Sequence, residues 1–261
     1  MNKVFIAAVA LLVIGACQRI AGEAPSPAAA AEVSADAAHI VAALADARRP
    51  QEDRDRDANR HPAETLAFAR IEPGDRVADL LPGRGYFTRL FAGAVGDAGR
   101  VYPVIRPEGV AGEFETPILE VAAQYPNVTM ARTPYDALSF PEPLDVVFTA
   151  QNYHDMALSA YNLGDRAQMN ATAFAALKPG GLYIVIDHAG PAGLALESDA
   201  ETATHRIDQA LVRAEVEVAG FVFDGESEVL RNPDDARTAS VFDPAVRGRT
   251  DQFMMRFRRP E

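Results

Sequence analysis

The segment that most constrains the fold of this chain runs from residue 77 to residue 95. An apolar run at residues 77–81 leads into a turn that contains Gly83 and Gly85. Apolar residues from Tyr86 to Val95 then recur at the spacing typical of a helix. Because glycine lacks Cβ, the backbone can come close to a ligand at both glycines. The pattern predicts the first strand, loop and helix of an α/β sheet that binds a nucleotide-like ligand.

The spacing within this loop separates two kinds of ligand. A dinucleotide fingerprint requires a third glycine at the position of Thr88. The loop instead has the form Asp79-x-x-x-Gly83-x-Gly85, which suits a smaller ligand, an adenosine that carries an amino-acid tail. Two glycines also occur in many other strand-to-helix turns, so the assignment needs support from the rest of the chain.

The N-terminus has the pattern of an export signal. Lys3 precedes an apolar run from Val4 to Ile14, which is too short to span a bilayer. The sequence Ile14-Gly15-Ala16-Cys17 resembles a bacterial lipobox, which implies cleavage and lipid attachment at Cys17. Gln18 in place of an aspartate implies the outer membrane, facing the periplasm, as the location in the cell envelope. The alternative is an ordinary secretory signal with a chance cysteine.

Charge and cysteine content exclude several kinds of partner and site. The 261 residues carry a formal net charge of −12, which argues against nucleic acid because phosphate contacts need a basic face. The same charge disfavours electrostatic docking on anionic lipid, so the lipid on Cys17 would provide the membrane anchor. Cys17 is the only cysteine, so neither a disulfide nor a thiolate metal site can form within one chain.

The chain is predicted to contain a signal peptide (1–16), a flexible tether (17–38), an N-terminal helix with a charged segment (39–61) and one domain (62–261). The charged stretch 48–62 is interpreted as a solvated loop, with a lid over the ligand site as the alternative. Further predicted strands lie at 100–105, 127–131, 144–150, 182–186, 221–230 and 251–258, and further predicted helices at 40–47, 62–70, 167–177 and 201–219.

Strands and helices alternate until the last two strands, which have no crossover helix between them and should therefore be antiparallel. The predicted fold is a Rossmann-like, doubly wound α/β fold. Its seven-stranded sheet is mostly parallel and carries a C-terminal antiparallel strand pair.

Residues 62–261 resemble the class I S-adenosylmethionine-dependent methyltransferases. The Asp79–Gly85 loop, the strand that begins Leu144-Asp145, the Leu177-Lys-Pro-Gly-Gly181 turn and the terminal strand pair match in order and spacing. Longer motifs resemble a narrower bacterial group of predicted methyltransferases with export signals: Arg56–Glu64, Pro82–Tyr86, Tyr153–Asp155, Ile186–His188, His205–Asp208 and Thr250–Phe253.

The resemblance implies a methyltransferase that uses S-adenosylmethionine and acts on a small-molecule acceptor. The cofactor pocket it implies consists of Asp79, Pro82, Gly83, Gly85 and Tyr86, with Asp136 near the adenine. Two positions depart from the family. Leu81 replaces the usual first glycine of the loop and narrows the space beside the methionine tail. The second strand ends at Ile105-Arg106, where these enzymes place an acid for the ribose hydroxyls, and Glu108 is the nearest acid.

Three histidine groups map to the carboxyl ends of the strands, where open α/β sheets bind their ligands. They are Tyr153-His154-Asp155, Asp187-His188, and His205 with Asp208. His205 and Asp208 are predicted to lie on one face of a helix. The candidate catalytic residues are His154, His188 and Asp155, with one histidine as general base on an oxygen or nitrogen acceptor. A packing or capping role is the alternative for each histidine.

The sequence supports other sites and functions less well. No metal site is predicted, since no compact ligand motif supports a site made of Asp155, Asp187 and His188. A non-catalytic binding module could retain the same fold. An NADP-type oxidoreductase would place Arg106 against a 2′-phosphate, but the missing third glycine and the terminal strand pair count against it.

Overall fold

The computed structural model describes residues 37–107, 115–199 and 202–261. The predicted signal peptide, most of the tether, the lipidation site Cys17 and the alternative acid Glu108 lie outside these described residues.

A seven-stranded sheet with the order β3-β2-β1-β4-β5-β7-β6 forms the centre of the fold. Only the contacts of β7 with its two neighbours are antiparallel, and the other adjacent strands are parallel. The predicted sheet is therefore confirmed, including its antiparallel C-terminal pair. The strands are β1 (Arg76–Leu80), β2 (Arg100–Ile105), β3 (Ala131–Arg132), β4 (Leu144–Ala150), β5 (Leu177–His188), β6 (Val222–Ser227) and β7 (Gln252–Arg258).

Helices cover both faces of the sheet. Successive residues of a strand point to opposite faces, so Phe148 and Ile184 enter one apolar layer while Val147 and Val185 enter the other. Helices α1, α4 and α5 pack on the first layer, and α7 and α8 on the second. The helices are α1 (Ala38–Ala45), α2 (Gln51–Arg54), α3 (Asp57–Arg60), α4 (Pro62–Phe68), α5 (Tyr86–Val95), α6 (Glu115–Gln124), α7 (Arg166–Ala176) and α8 (Gln209–Val218). None of the helices in the described ranges has the length and apolar character needed to span a bilayer.

The interpretation of residues 48–62 as a solvated loop is wrong. Helices α2 and α3 form here and pack over the first turns of α5. Asp53 is 4% exposed and lies 3.0 Å from the Arg89 guanidinium of α5, while the buried Arg49 pairs with Asp57. Buried charges require partners of opposite sign, and Asp53 finds its partner on α5 while Arg49 finds its partner within the segment itself. The segment therefore belongs to the same compact unit as the sheet.

The predicted helix over residues 201–219 is wrong in its first part. Helix α8 begins at Gln209, and Asp208 caps it by accepting a hydrogen bond from the backbone N–H of Ala210. The preceding segment is tied to its neighbours instead, since the Ile207 N–H bonds to the His188 carbonyl and the Val241 N–H to that of Thr204. His205 and Asp208 therefore do not share a helix face.

Candidate cofactor and acceptor site

The glycine loop joins β1 to α5 at the centre of the sheet. Asp79, near the end of β1, is buried and accepts a hydrogen bond from the Thr88 hydroxyl at 2.6 Å. Burial raises the pKa of Asp79 to about 7. The backbone N–H of Gly85 donates to the Pro82 carbonyl oxygen at 2.9 Å and closes the turn. The loop therefore places a buried acid beside the N-terminus of α5. The N-terminus of a helix attracts polar and negatively charged ligand groups.

The two glycines of this loop have different structural roles. Gly83 has φ +56°, and a Cβ there would meet no atom of the described residues within 4 Å. Gly85 has φ +82°, and a Cβ there would lie 2.8 Å from Val121 Cγ2. Packing of the protein itself therefore requires Gly85. At Gly83 the fold leaves open space into which a ligand can approach the backbone.

Leu81 adopts a conformation that glycine would adopt more readily. Its φ is 49°, in the left-handed region, and its side chain packs against the apolar layer that contains Leu80. Left-handed backbone costs a side-chain-bearing residue roughly 1–2 kcal/mol. The departure from the family's glycine therefore changes the side chain while the backbone keeps the geometry that glycine favours.

Tyr86, at the start of α5, is enclosed by the charged segment. Its hydroxyl donates to Asp57 Oδ1 at 2.7 Å, and the Arg60 guanidinium lies 4.8 Å from its ring centroid. Burial, together with the Asp57 carboxylate, raises the pKa of Tyr86. The predicted cofactor contact Tyr86 thus faces α3 through its hydroxyl, and α3 covers this end of the glycine loop.

Arg106 and Asp136, at the ends of β2 and β3, both contact the loop that follows β4. Arg106 donates to the carbonyl oxygen of Tyr161, and Asp136 accepts from the backbone N–H of Asp165 at 3.1 Å. At the end of β2, Arg106 occupies the place where the family has an acid. The structure brings the predicted adenine contact Asp136 to this edge of the sheet, with one carboxylate oxygen engaged by the loop.

His154 is held between two carboxylates beyond the end of β4. Its Nδ1 lies 2.7 Å from Asp187 Oδ1, and its Nε2 lies 3.1 Å from Asp155 Oδ1. Burial alone would lower the pKa of His154, but these two carboxylates outweigh it and raise that pKa to about 10. The backbone N–H of His154 also donates to Asp187, which is fully buried. Both ring nitrogens of His154 are therefore engaged.

His188, at the end of β5, has a different environment. Its Nδ1 lies 2.7 Å from the hydroxyl oxygen of Thr250, and its ring centroid lies 5.9 Å from that of His154. Burial lowers the pKa of His188 to about 4. Within the described residues, no hydrogen bond engages its Nε2. The geometry therefore favours His188 over His154 for the general-base role.

His205 completes the cluster from the segment that precedes α8. Its Nδ1 lies 3.2 Å from Asp155 Oδ1, and its ring packs edge-on against Phe242. The structure thus brings together the three histidine groups singled out in the sequence. Asp155 lies between His154 and His205, while Asp208 is engaged as a helix cap.

Sequence reasoning missed several polar residues that line this region. Arg60 donates to the side-chain oxygen of Gln151, and Gln151 donates to the side-chain oxygen of Gln252 at 2.9 Å. Arg60 lies in the Arg56–Glu64 motif and Gln252 in the Thr250–Phe253 motif, so the motifs could have identified both residues as candidates. Asn152 lies beside them and donates to the Leu81 carbonyl oxygen at 3.0 Å, so it connects the histidine cluster to the glycine loop.

Comparisons with known proteins support a methyltransferase fold. No protein-family model matches the chain. It is 30% identical over 146 residues to the ubiquinone/menaquinone biosynthesis C-methyltransferase UbiE of Teredinibacter turnerae, a match that covers 51% of each sequence. The chain thus spans about half the length of the curated relatives it matches.

Solved structures extend the likeness to most of the domain. A SAM-dependent methyltransferase from Aquifex aeolicus superposes with a TM-score of 0.55, covering 80% of this chain and 98% of that chain at 17% identity. The [4+2]-cyclase SpnF superposes with a TM-score of 0.54, covering 86% of this chain and 93% of that chain at 15% identity.

The chain therefore has the fold of the class I S-adenosylmethionine-dependent methyltransferases, and the predicted resemblance is confirmed at that level. The same fold also carries a cyclase, so the reaction has to be argued from the site.

Proposed function

We propose that this protein is an S-adenosylmethionine-dependent methyltransferase that acts on a small-molecule acceptor. The observation that carries the proposal is the Asp79–Gly85 loop with its open space at Gly83. This loop follows β1, which has β2 on one side and β4 on the other. The strand order reverses at this point, and open α/β sheets bind their ligands there. The similarity to a C-methyltransferase over half of the chain supports methyl transfer as the reaction.

The acceptor approaches from the side of the histidine cluster. His154 follows β4, the neighbour of β1, and His188 is the last residue of β5, the next strand in the sheet. Thr250 fixes the His188 ring through Nδ1, and no hydrogen bond from the described residues engages Nε2, which leaves that nitrogen for the acceptor. Methyl transfer requires mainly an in-line approach, so these residues orient the acceptor, and His188 removes its proton.

A ligand panel tests this function against its alternatives. S-adenosylmethionine and its demethylated product should raise the melting temperature, since a ligand of the native state stabilises it by mass action. NADP should leave the melting temperature unchanged. A shift with NADP alone would indicate the oxidoreductase. Cofactor binding without turnover across a broad panel of phenols, quinones and amines would favour the binding module.

A glycine substitution tests the placement of the cofactor. Gly83→Val should abolish calorimetric binding of S-adenosylmethionine, because it fills the open space beside the loop. The matched control is Gly74→Val, which precedes the N-terminal end of β1, whereas the glycine loop follows the C-terminal end of that strand. Gly74 also has a positive φ, +93°, and no atom in the described part of the chain lies within 4 Å of a Cβ placed there, so the substitution adds comparable backbone strain without touching the site. Unchanged binding by a folded Gly83→Val protein would refute this placement.

We also propose that the mature protein is lipid-anchored at Cys17 in the bacterial cell envelope, on the outer membrane and facing the periplasm. The support is the lipobox-like sequence that ends at Cys17 and the following Gln18. A Cys17→Ser variant should leave the membrane fraction, whereas the control Ser26→Ala should remain in it. Membrane fractionation of Cys17→Ser identical to that of the wild type would contradict the anchor.

A further inference from the structure

We propose that His154, Asp155 and His205 bind a divalent transition-metal ion. One ligand atom from each residue, the imidazole nitrogens of His154 and His205 and a carboxylate oxygen of Asp155, lies within 4.8 Å of the other two. The sequence shows no compact motif for this set, because His205 lies 50 residues from Asp155. The site is separate from the cofactor loop and does not depend on the identity of the cofactor.

The distances from the Asp155 oxygen to the two histidine nitrogens match those between ligands of one ion. Asp155 Oδ1 lies 3.1 Å from His154 Nε2 and 3.2 Å from His205 Nδ1. Histidine and carboxylate ligands lie about 2.1 Å from zinc, so adjacent ligands around one ion are separated by about 3.0–3.4 Å. Both separations fall in that interval, and the two imidazole nitrogens lie within 4.8 Å of each other, so an ion can bind once the two histidine rings move closer together.

Asp187 orients His154 through the ring nitrogen that does not face the proposed ion. Its Oδ1 lies 2.7 Å from His154 Nδ1, and it is fully buried. A metal-binding histidine usually donates its second ring N–H to such a carboxylate, which fixes the tautomer and raises the basicity of the ligating nitrogen. The set weighed from the sequence, Asp155 with Asp187 and His188, is therefore replaced by one in which Asp187 supports a ligand.

His205 is preorganised as a ligand. Its φ of 57° is strained for a residue with a β-carbon, and such outliers concentrate at functional sites. The backbone around it is held firmly. The Glu197 carboxylate accepts hydrogen bonds from the N–H groups of Thr204 and His205, and the next residue, Arg206, forms a buried ion pair with Asp235. These contacts maintain the conformation that directs the ring toward Asp155.

The donor set selects the kind of metal. Two imidazoles and one carboxylate suit zinc, manganese, iron or nickel, whereas magnesium and calcium prefer oxygen ligands. Three protein ligands leave at least one position open for water or for an oxygen of a bound molecule. If the proposed function holds, an acceptor hydroxyl bound to the metal would lose its proton more readily. This catalytic role rests on the proposed function, whereas metal binding itself does not.

Cobalt binding tests the site directly. Protein treated with a chelator and then titrated with Co²⁺ should develop visible absorption that saturates near one equivalent and is displaced by Zn²⁺, while excess Mg²⁺ leaves it unchanged. Absence of this signal in the wild type, or its displacement by Mg²⁺, would overturn the proposal. S-adenosylmethionine binding is measured separately in metal-free protein, so failure of the proposed function is distinguishable from failure of the metal site.

Three variants assign the signal to the cluster. Asp155→Asn and His205→Asn should lose it, and asparagine is chosen at position 205 because it tolerates left-handed backbone. Asp187→Asn should weaken metal affinity by about 10–100-fold. The control His61→Ala, which alters a histidine outside the cluster, should bind Co²⁺ as the wild type does. Melting curves without metal establish that each variant is folded. Wild-type affinity in folded His205→Asn would overturn the assignment.

Discussion

The side-chain amide of Asn152 donates a hydrogen bond to the carbonyl oxygen of Leu81 at 3.0 Å. This contact joins the end of β4 to the loop that follows β1. Leu81 lies in the left-handed region, and the hydroxyl of Thr149 donates to Asn152 Oδ1, which sets the orientation of the amide. The conformation of the glycine loop therefore depends on a buried side chain from the loop that follows β4.

Removing this amide should destabilise the protein. Asn152→Ala leaves the Leu81 carbonyl without its partner, so the free energy of unfolding should fall by about 1–3 kcal/mol. Urea denaturation measures the change. The control is Asn59→Ala, at an exposed position in α3, for which a change within about 0.5 kcal/mol is expected. Equal effects of the two substitutions would contradict a bridging role for Asn152.

Introducing glycine at position 81 should strengthen cofactor binding. Leu81→Gly opens space beside the predicted methionine tail and removes the left-handed strain. We expect S-adenosylmethionine affinity to rise roughly tenfold, which corresponds to about 1.4 kcal/mol. Calorimetry tests this. The control Arg70→Gly removes similar strain, since Arg70 has φ 52°, and should leave affinity unchanged. Weaker binding by Leu81→Gly would show that the leucine side chain contacts the cofactor favourably.

The buried carboxyl of Asp79 should make stability depend on pH. Its pKa is raised from 3.8 to about 7 by burial, so the folded state holds the proton more tightly than the unfolded state does. Its contribution to stability is therefore greatest below pH 3.8, declines as pH rises toward about 7, and is constant above. The difference in unfolding free energy between wild type and Asp79→Asn should follow this curve. A difference that does not vary with pH would refute the raised pKa.

His188 should affect turnover more than binding. Once an acceptor is found, His188→Ala should lower turnover by about 10²–10⁴-fold and leave S-adenosylmethionine binding nearly intact. His154→Ala should mainly lower stability, because it removes the imidazole that pairs with the buried Asp187 carboxylate and leaves that carboxylate only backbone N–H donors. Unimpaired turnover in His188→Ala would mean that this histidine only supports the structure.

The ion pair between α2 and α5 should anchor the charged segment. Asp53→Asn leaves the buried Arg89 guanidinium uncompensated, and we expect a loss of about 3–5 kcal/mol in unfolding free energy. Glu217→Gln, in an exposed pair with Arg213 in α8, is the control and should cost about 0.5 kcal/mol or less. If both substitutions cost equally little in urea denaturation, residues 48–62 do not depend on this pair for their packing.

Local patterns in the sequence determined the class of fold. The apolar strands around Asp79 and Asp145 and the glycines of the first loop follow from periodicity and backbone preference, which neighbouring residues encode. The antiparallel position of β7 followed from the polar link before it, because parallel strands need a crossover connection. The same local patterns placed the histidine groups at the ends of strands.

Only the tertiary structure decided which of these residues meet. Arg49 and Asp53 are buried because their charges find Asp57 and Arg89 as partners in space, whereas their sequence is that of a solvated loop. His205 reaches Asp155 because hydrogen bonds to β5 hold the segment before α8 out of the helix. Asp187 meets His154 because the carboxyl ends of β4 and β5 lie side by side in the sheet. Periodicity predicts the face of a helix or strand on which a side chain lies. Contacts between segments far apart in the sequence determine which atoms that side chain touches.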